Sequence, residues 1–139
     1  MTGSYRLRDH TADVGVEASG DTLGAVFAAL GDGLAAAQCD EIPADVGERF
    51  SVSVRAEGRE ALLFDYLDQL IYERDVRSVL PVDNDASVAR DGDVWVVDGT
   101  ARGVPLSRVD AREVKAVTYS EMRLEETDGG WEGYVVFDV

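Results

Sequence analysis

Two turn signals, Asp91-Gly92 and Asp128-Gly129-Gly130, constrain the fold of this chain more than any other feature. Each stands between segments that read as strands. Asp-Gly at such a junction is a strong hairpin signature, because the tight turn needs residues that tolerate positive φ. The second half is therefore expected to be built of strands around Ser78–Asp83, Ser87–Arg90 and Val94–Arg102, then Val114–Tyr119, Met122–Glu126 and Trp131–Asp138. Upstream, a short strand near Tyr5–Arg8 and another across Val14–Ala18 flank a turn. Phe50, Val52, Val54 and Ala56 alternate with Ser51, Ser53 and Arg55, as on a half-buried strand.

Two stretches carry a helical period instead. Leu23, Val26, Phe27, Leu30 and Leu34 share one face of a helix that Asp21 and Thr22 can cap and that should end by about Ala37. Gly31 and Gly33 weaken its last turns by roughly 1 kcal/mol each relative to Ala. A second helix is predicted from about Glu60 to Glu73, with Leu63, Tyr66, Leu67, Leu70 and Ile71 on its buried face and Asp65, Asp68 and Gln69 turned to solvent. Two main helices packed on a mainly antiparallel β-sheet make an α+β fold. At 139 residues, with neither repeat nor linker, residues 1–139 are expected to form a single domain.

The charge balance narrows the function. Thirteen basic residues face 28 acidic ones, giving a net charge of −15. Strong direct nucleic-acid binding is not expected, because neutralising phosphates takes clustered Lys and Arg. Twelve of the basic residues are Arg and one, Lys115, is Lys, while Asp outnumbers Glu by 17 to 11. That pattern suits a protein hydrated in concentrated salt, where repulsion among carboxylates is screened. Cys39 and His10 each stand alone, which removes internal disulfides, thiolate zinc sites and two-histidine metal sites. The start, MTGSYRLRDH, lacks the apolar core of a signal peptide, and no run approaches the length of a membrane span. A soluble, cytoplasmic protein is the expectation.

Three places could carry chemistry. The segment Arg8-Asp9-His10-Thr11-Ala12-Asp13-Val14-Gly15 puts carboxylates, an imidazole and a hydroxyl into a turn; its plain alternative is a polar turn in which Asp13 caps backbone N–H groups. The final strand, Tyr134 to Val139, is apolar until Asp138, which brings a side-chain carboxylate close to the main-chain oxygens of Val139, unless the end simply frays. Lys115 lies in a mostly apolar, β-rich stretch of a chain that otherwise uses only Arg, although a lone occurrence is also what chance would give. A flexible point charge is a different tool from a planar guanidinium. There is neither a phosphate-binding GxxxxGK[ST] loop nor a nucleophile elbow. On the residues alone the chain is an acidic α+β domain with room for a hard-cation site.

Taken together, His10-Thr11-Ala12-Asp13-Val14-Gly15 with Gly20-Asp21-Thr22-Leu23, the helix Leu62-Leu63-Phe64-Asp65-Tyr66-Leu67-Asp68-Gln69-Leu70-Ile71-Tyr72, the run Val114-Lys115-Ala116-Val117-Thr118-Tyr119 and the ending Trp131 … Val136-Phe137-Asp138-Val139 resemble the archease family. The resemblance implies a non-catalytic accessory protein of tRNA splicing. Such a protein activates the GTP-dependent RNA ligase that joins 3′-phosphate and 5′-hydroxyl ends, by promoting guanylylation of the ligase's active-site histidine and multiple turnover. It also implies a Ca2+ site, open to Mg2+ or Mn2+, at Asp13, Asp138 and Val139, and Lys115 as a residue of ligase activation. Ser120 departs from the family pattern, since many relatives have histidine after the Thr-Tyr pair.

The chemistry agrees with that implication. Asp13 and Asp138 must meet if the last strand pairs beside the opening one. Two carboxylates about 4 Å apart repel by on the order of 4 kcal/mol at an effective dielectric of about 20. A divalent cation reverses that repulsion, and all-oxygen donors select Ca2+ or Mg2+ over zinc. The alternatives are a metal-stabilised, chaperone-like interaction module without a specific ligation role, and a metal-dependent phosphoesterase.

Overall fold

The computed structural model describes residues 3–9 and 13–139, with the side chains of Arg8 and Asp9 left aside. The expected turn residues His10, Thr11 and Ala12 lie outside the described residues. The elements run β1 (Gly3–Asp9), β2 (Asp13–Gly20), α1 (Leu23–Gln38), β3 (Glu48–Ala56), α2 (Arg59–Arg77), β4 (Val79–Asp91), β5 (Val94–Pro105), a 3-10 turn at Leu106–Arg108, β6 (Ala116–Thr127) and β7 (Gly130–Asp138). The fold is α+β as expected, but the strands form two sheets, ordered β1-β2-β7-β6 and β3-β5-β4, in which each adjacent pair is antiparallel.

Both helices lie between the sheets. α1 packs on β1, β2 and β7 of one sheet and on β4 of the other; α2 packs on β6 of the first and on β3, β4 and β5 of the second. This placement explains why α1 is apolar nearly all round. Fourteen of its sixteen residues are buried, so there is scarcely a solvent face for a polar stripe to occupy. Thr22 caps it, Oγ1 accepting from the Ala25 N–H at 3.1 Å. Gly33, a weak helix former, is the residue that lets α1 approach β2: a Cβ there would collide with Val16. Phe27 of α1 meets Tyr66 of α2 at the centre, ring centroids 5.7 Å apart.

Three boundaries differ from the sequence reading, each for a physical reason. α2 continues to Arg77 because Arg74, a turn past the last apolar residue of the stripe, is itself buried at 6% exposure and bonded on both sides. The segments expected as separate strands at Ser78–Asp83 and Ser87–Arg90 are one strand, β4. A bulge between Val82 and Asp85 absorbs the break, with Asp83 in the left-handed region at φ 48°. Likewise Val114–Tyr119 and Met122–Glu126 merge into β6, whose register shifts between Thr118 and Arg123, with Glu121 at φ 58°.

Candidate functional site

β7 runs between β2 and β6, and its last residue is where the three candidate segments converge. The β2–β7 register sets Asp13 directly opposite Asp138, and the β6–β7 register sets Ala116 opposite Asp138 on the other side. The Lys115 N–H donates to the Asp138 carbonyl at 2.8 Å. Asp13, Asp138 and the backbone of Lys115 therefore meet at one end of one sheet. Val139, which follows directly, is 43% exposed.

The register follows from the alternation of apolar residues. Val14, Val16, Val117, Val135 and Phe137 all join or pack against the core between the sheets. Slipping β7 by one residue would turn Val135 and Phe137 away from that core, so their burial holds the two aspartates opposite each other. Directly opposite positions place Cβ atoms about 5 Å apart on a shared face, and like charges there destabilise the sheet. Asp138 is exposed, whereas Asp13 is half-buried with its Oδ1 closed to solvent. A neighbour on the same face, Tyr134, is one that sequence reasoning missed. Its ring lies across Gly15, where a Cβ would collide with the hydroxyl. A glycine within an otherwise well-formed strand is the available signal for so close an approach.

A second set of residues missed from sequence fixes the segment that delivers Lys115. Arg74 donates through Nη1 to the Val114 carbonyl at 2.8 Å and to Gln38 Oε1 at 2.9 Å, while Nε pairs with Asp75 at 2.9 Å. Arg112 donates from its backbone N–H to the Gln38 carbonyl at 2.7 Å and from Nε to the Ala37 carbonyl at 3.0 Å, placing a cation at the C-terminal end of α1. The chain entering β6 is thus tied to both helices. Lys115 itself is exposed and, among the described residues, makes no ion pair.

The arrangement offers carboxylate and main-chain oxygens, the donors that hard cations take. Among the described residues no group of three or more His, Cys, Asp or Glu side chains gathers to hold a metal. A cation at Asp13 and Asp138 would accordingly need main-chain donors such as those of Val139, or water, to complete its shell. The residues present fit a hard cation and not zinc. Among the described residues no helix is long and apolar enough to cross a membrane.

Comparison with known proteins follows the same span. The model of the Archease protein family (MTH1598/TM1083) matches residues 5–139. The protein archease of Pyrococcus furiosus is 29% identical over 135 residues, covering 94% of this chain and 95% of the relative. That of Thermococcus gammatolerans is 32% identical with the same coverage. The solution structure of Methanobacterium thermoautotrophicum protein 1598 superposes with a TM-score of 0.85 at 28% identity, covering 98% of this chain and 99% of that one. The crystal structure of a Thermotoga maritima archease, described as a "possible chaperone", shares the fold at a TM-score of 0.62 and 21% identity, covering 95% and 94%.

Proposed function

This chain belongs to the archease family, and from that premise we propose that it is a non-catalytic, cytoplasmic activator of the GTP-dependent RNA ligase of tRNA splicing, promoting guanylylation of the ligase's active-site histidine and multiple turnover. The observation that carries the reading is the placement of Asp13 directly across from Asp138, with Lys115 bonded through its backbone to the same residue. Asp13, Asp138 and the main-chain oxygens of Val139 would hold a divalent cation, Ca2+ in the first instance and Mg2+ or Mn2+ in its place. When bound, that ion supplies positive charge between two carboxylates that otherwise repel.

The chain's own residues then have separable tasks. Asp13, shielded on one oxygen, fixes one side of the pair, and Asp138 the other. Lys115 offers an ammonium on a flexible stem to a phosphate or to a carboxylate of the ligase. A preorganised charge of this kind can assist nucleotidyl transfer in the partner's pocket or favour the competent conformation of the ligase. Ser120 occupies the place where many relatives carry histidine, so this account gives it no part.

Single-turnover guanylylation of the cognate ligase tests the reading. The chain is expected to accelerate it, and folded Asp13→Ala or Lys115→Ala variants are expected to lose the effect. Equal rates with and without the chain overturn the proposal. Stimulation that falls only in step with lost folding would favour a metal-stabilised chaperone-like module instead, and turnover of a cyclic phosphate by the chain alone would favour a phosphoesterase.

A further inference from the structure

The face of the first sheet that looks away from the core is not uniformly wet beside the two aspartates. On it the cross-strand pairs of β2 and β7 run Asp13–Asp138, Gly15–Val136 and Glu17–Tyr134. Val135 and Phe137 point into the core, so Val136 between them faces outward, yet it is only 1% exposed. Its partner Gly15 carries no side chain, and the Tyr134 ring fills the space above that glycine. An apolar step is thereby closed over immediately next to the Asp13–Asp138 pair.

Three neighbours fix the direction of that ring. Glu17 stands directly opposite it, the Arg123 guanidinium of β6 lies 5.9 Å from its centroid, and Gly15 admits the hydroxyl where a Cβ would exclude it. The ring thus leans from β7 across to β2, and its hydroxyl ends where a side chain of residue 15 would begin. Residues two apart on a strand stand about 6.6 Å apart on one face. That is the span from the hydroxyl to the Asp13 Cβ, and the carboxylate with one bridging water closes it. The two aspartates differ in the matching sense. Asp13, on the strand toward which the ring leans, is half-buried with Oδ1 closed to solvent, whereas Asp138 is exposed.

We propose that Tyr134 is a positioning residue of the candidate cation site. Its hydroxyl donates a hydrogen bond on the Asp13 side, to a carboxylate oxygen or to a water of the cation's shell. That bond fixes the orientation in which Asp13 and Asp138 share one ion. The inference rests on the site proposed above. Carboxylates that ligate metals are themselves held by outer partners, and losing one costs roughly ten- to a hundredfold in metal affinity. The ring adds a second effect: it keeps bulk water from one side of the pair, where charges then act through a lower dielectric.

Calorimetric titration of Ca2+ into the chelator-treated full chain, with no ligase present, tests it. Tyr134→Phe keeps the ring and removes the hydroxyl. It is expected to weaken Ca2+ binding about tenfold, while the melting temperature of the chelated protein stays that of the parent. Gly15→Ala keeps the hydroxyl but pushes it aside, and should weaken binding to a similar extent. Because both act through one group, the double variant should bind about as weakly as either single one. Tyr72→Phe, which removes an exposed hydroxyl from α2, should leave the affinity unchanged. If Gly15→Ala folds poorly, Tyr134→Phe alone decides. Parental affinity in Tyr134→Phe, or losses that multiply in the double variant, overturns the role of the hydroxyl and leaves Asp13 and Asp138 as the site. Weakening accompanied by a lower melting temperature of the chelated protein assigns Tyr134 to the fold and likewise overturns the inference. A parent chain that binds no Ca2+ overturns the site and the inference together.

Discussion

Asp13 and Asp138 occupy directly opposed positions on the adjacent antiparallel strands β2 and β7. Their repulsion makes cation dependence measurable without the ligase. A ligand bound only by the folded state stabilises it by about 2.7 kcal/mol at roughly 100 times its Kd. Ca2+ is therefore expected to raise the melting temperature by several degrees relative to a chelator-treated sample. Asp13→Asn should remove that gain and melt at or slightly above the chelated parent, because it also removes the like-charge pair. Calorimetric scans of the two proteins with and without Ca2+ decide it, and an Asp13→Asn variant that still gains fully from Ca2+ contradicts the assignment.

Arg74 offers a second lever, distant in sequence from the carboxylates. It satisfies the Val114 carbonyl and Gln38 Oε1 inside the protein, where an acceptor left without a partner costs about 1–3 kcal/mol. Arg74→Met is expected to lower unfolding free energy by roughly that amount or more. It should also loosen the lead into β6, so that ligase stimulation falls further than Ca2+ affinity. Denaturant titration, Ca2+ titration and the guanylylation assay separate the three effects. Stimulation and Ca2+ affinity falling together would mean that Arg74 supports the fold alone.

Much of this fold was legible because burial writes itself into alternation. The β2 and β7 patterns located the two aspartates, and Asp91-Gly92 located the β4–β5 turn, where Gly92 sits at φ 65°. What stayed hidden was anything that depends on a third element. Gly33 reads as a helix breaker until Val16 is seen against it. Arg74 reads as the polar end of a helix until Gln38 and Val114 are seen to receive it. The irregularities at Asp83 and Glu121 read as strand ends, because the extra residues they insert, one in β4 and three in β6, shift the apolar period just as a turn would. The division into two sheets was hidden too, since alternation marks a buried face without naming what covers it.

The bulge in β4 carries a pH prediction. It brings Asn84 onto α1, where its backbone N–H and Nδ2 both donate to Asp32 Oδ1 at 2.9 Å. Burial raises the Asp32 carboxyl above the usual carboxylate range, the Asn84 hydrogen bonds pull it back, Asp83 adds to the rise and Arg49 opposes it. A carboxyl raised on folding means that the native state binds the proton more tightly than the unfolded chain does. Its contribution is complete below the unfolded pKa and is lost as pH climbs through the raised native value. Asp32→Asn keeps an acceptor oxygen for Asn84 and carries no charge. Relative to that variant, the parent is expected to lose stability as pH rises from the ordinary carboxylate range through the raised native value, read as a growing difference in urea midpoints. Parallel midpoint curves across that range would contradict the burial account.

Ionic strength tests how the surface is built. The exposed pairs Arg55–Asp91 and Arg112–Asp40, at 2.9 and 2.8 Å, contribute little and weaken with salt. Against them stands a net charge of −15, whose self-repulsion salt relieves as the Debye length falls to about 3 Å near 1 M. Other arginines rest on aromatic faces: Arg59 lies 5.0 Å from the Trp131 ring centroid and 5.8 Å from that of Trp95, linking the two sheets, and Arg77 lies 4.5 Å from Phe50. Such close, partly desolvated contacts are screened less than exposed ion pairs. Melting temperature is therefore expected to climb from dilute buffer to about 1 M KCl, and Arg59→Gln should lower it at both ends of that range. A chain most stable in dilute buffer, or an Arg59→Gln deficit that vanishes in salt, would show that ion pairing rather than repulsion governs this surface.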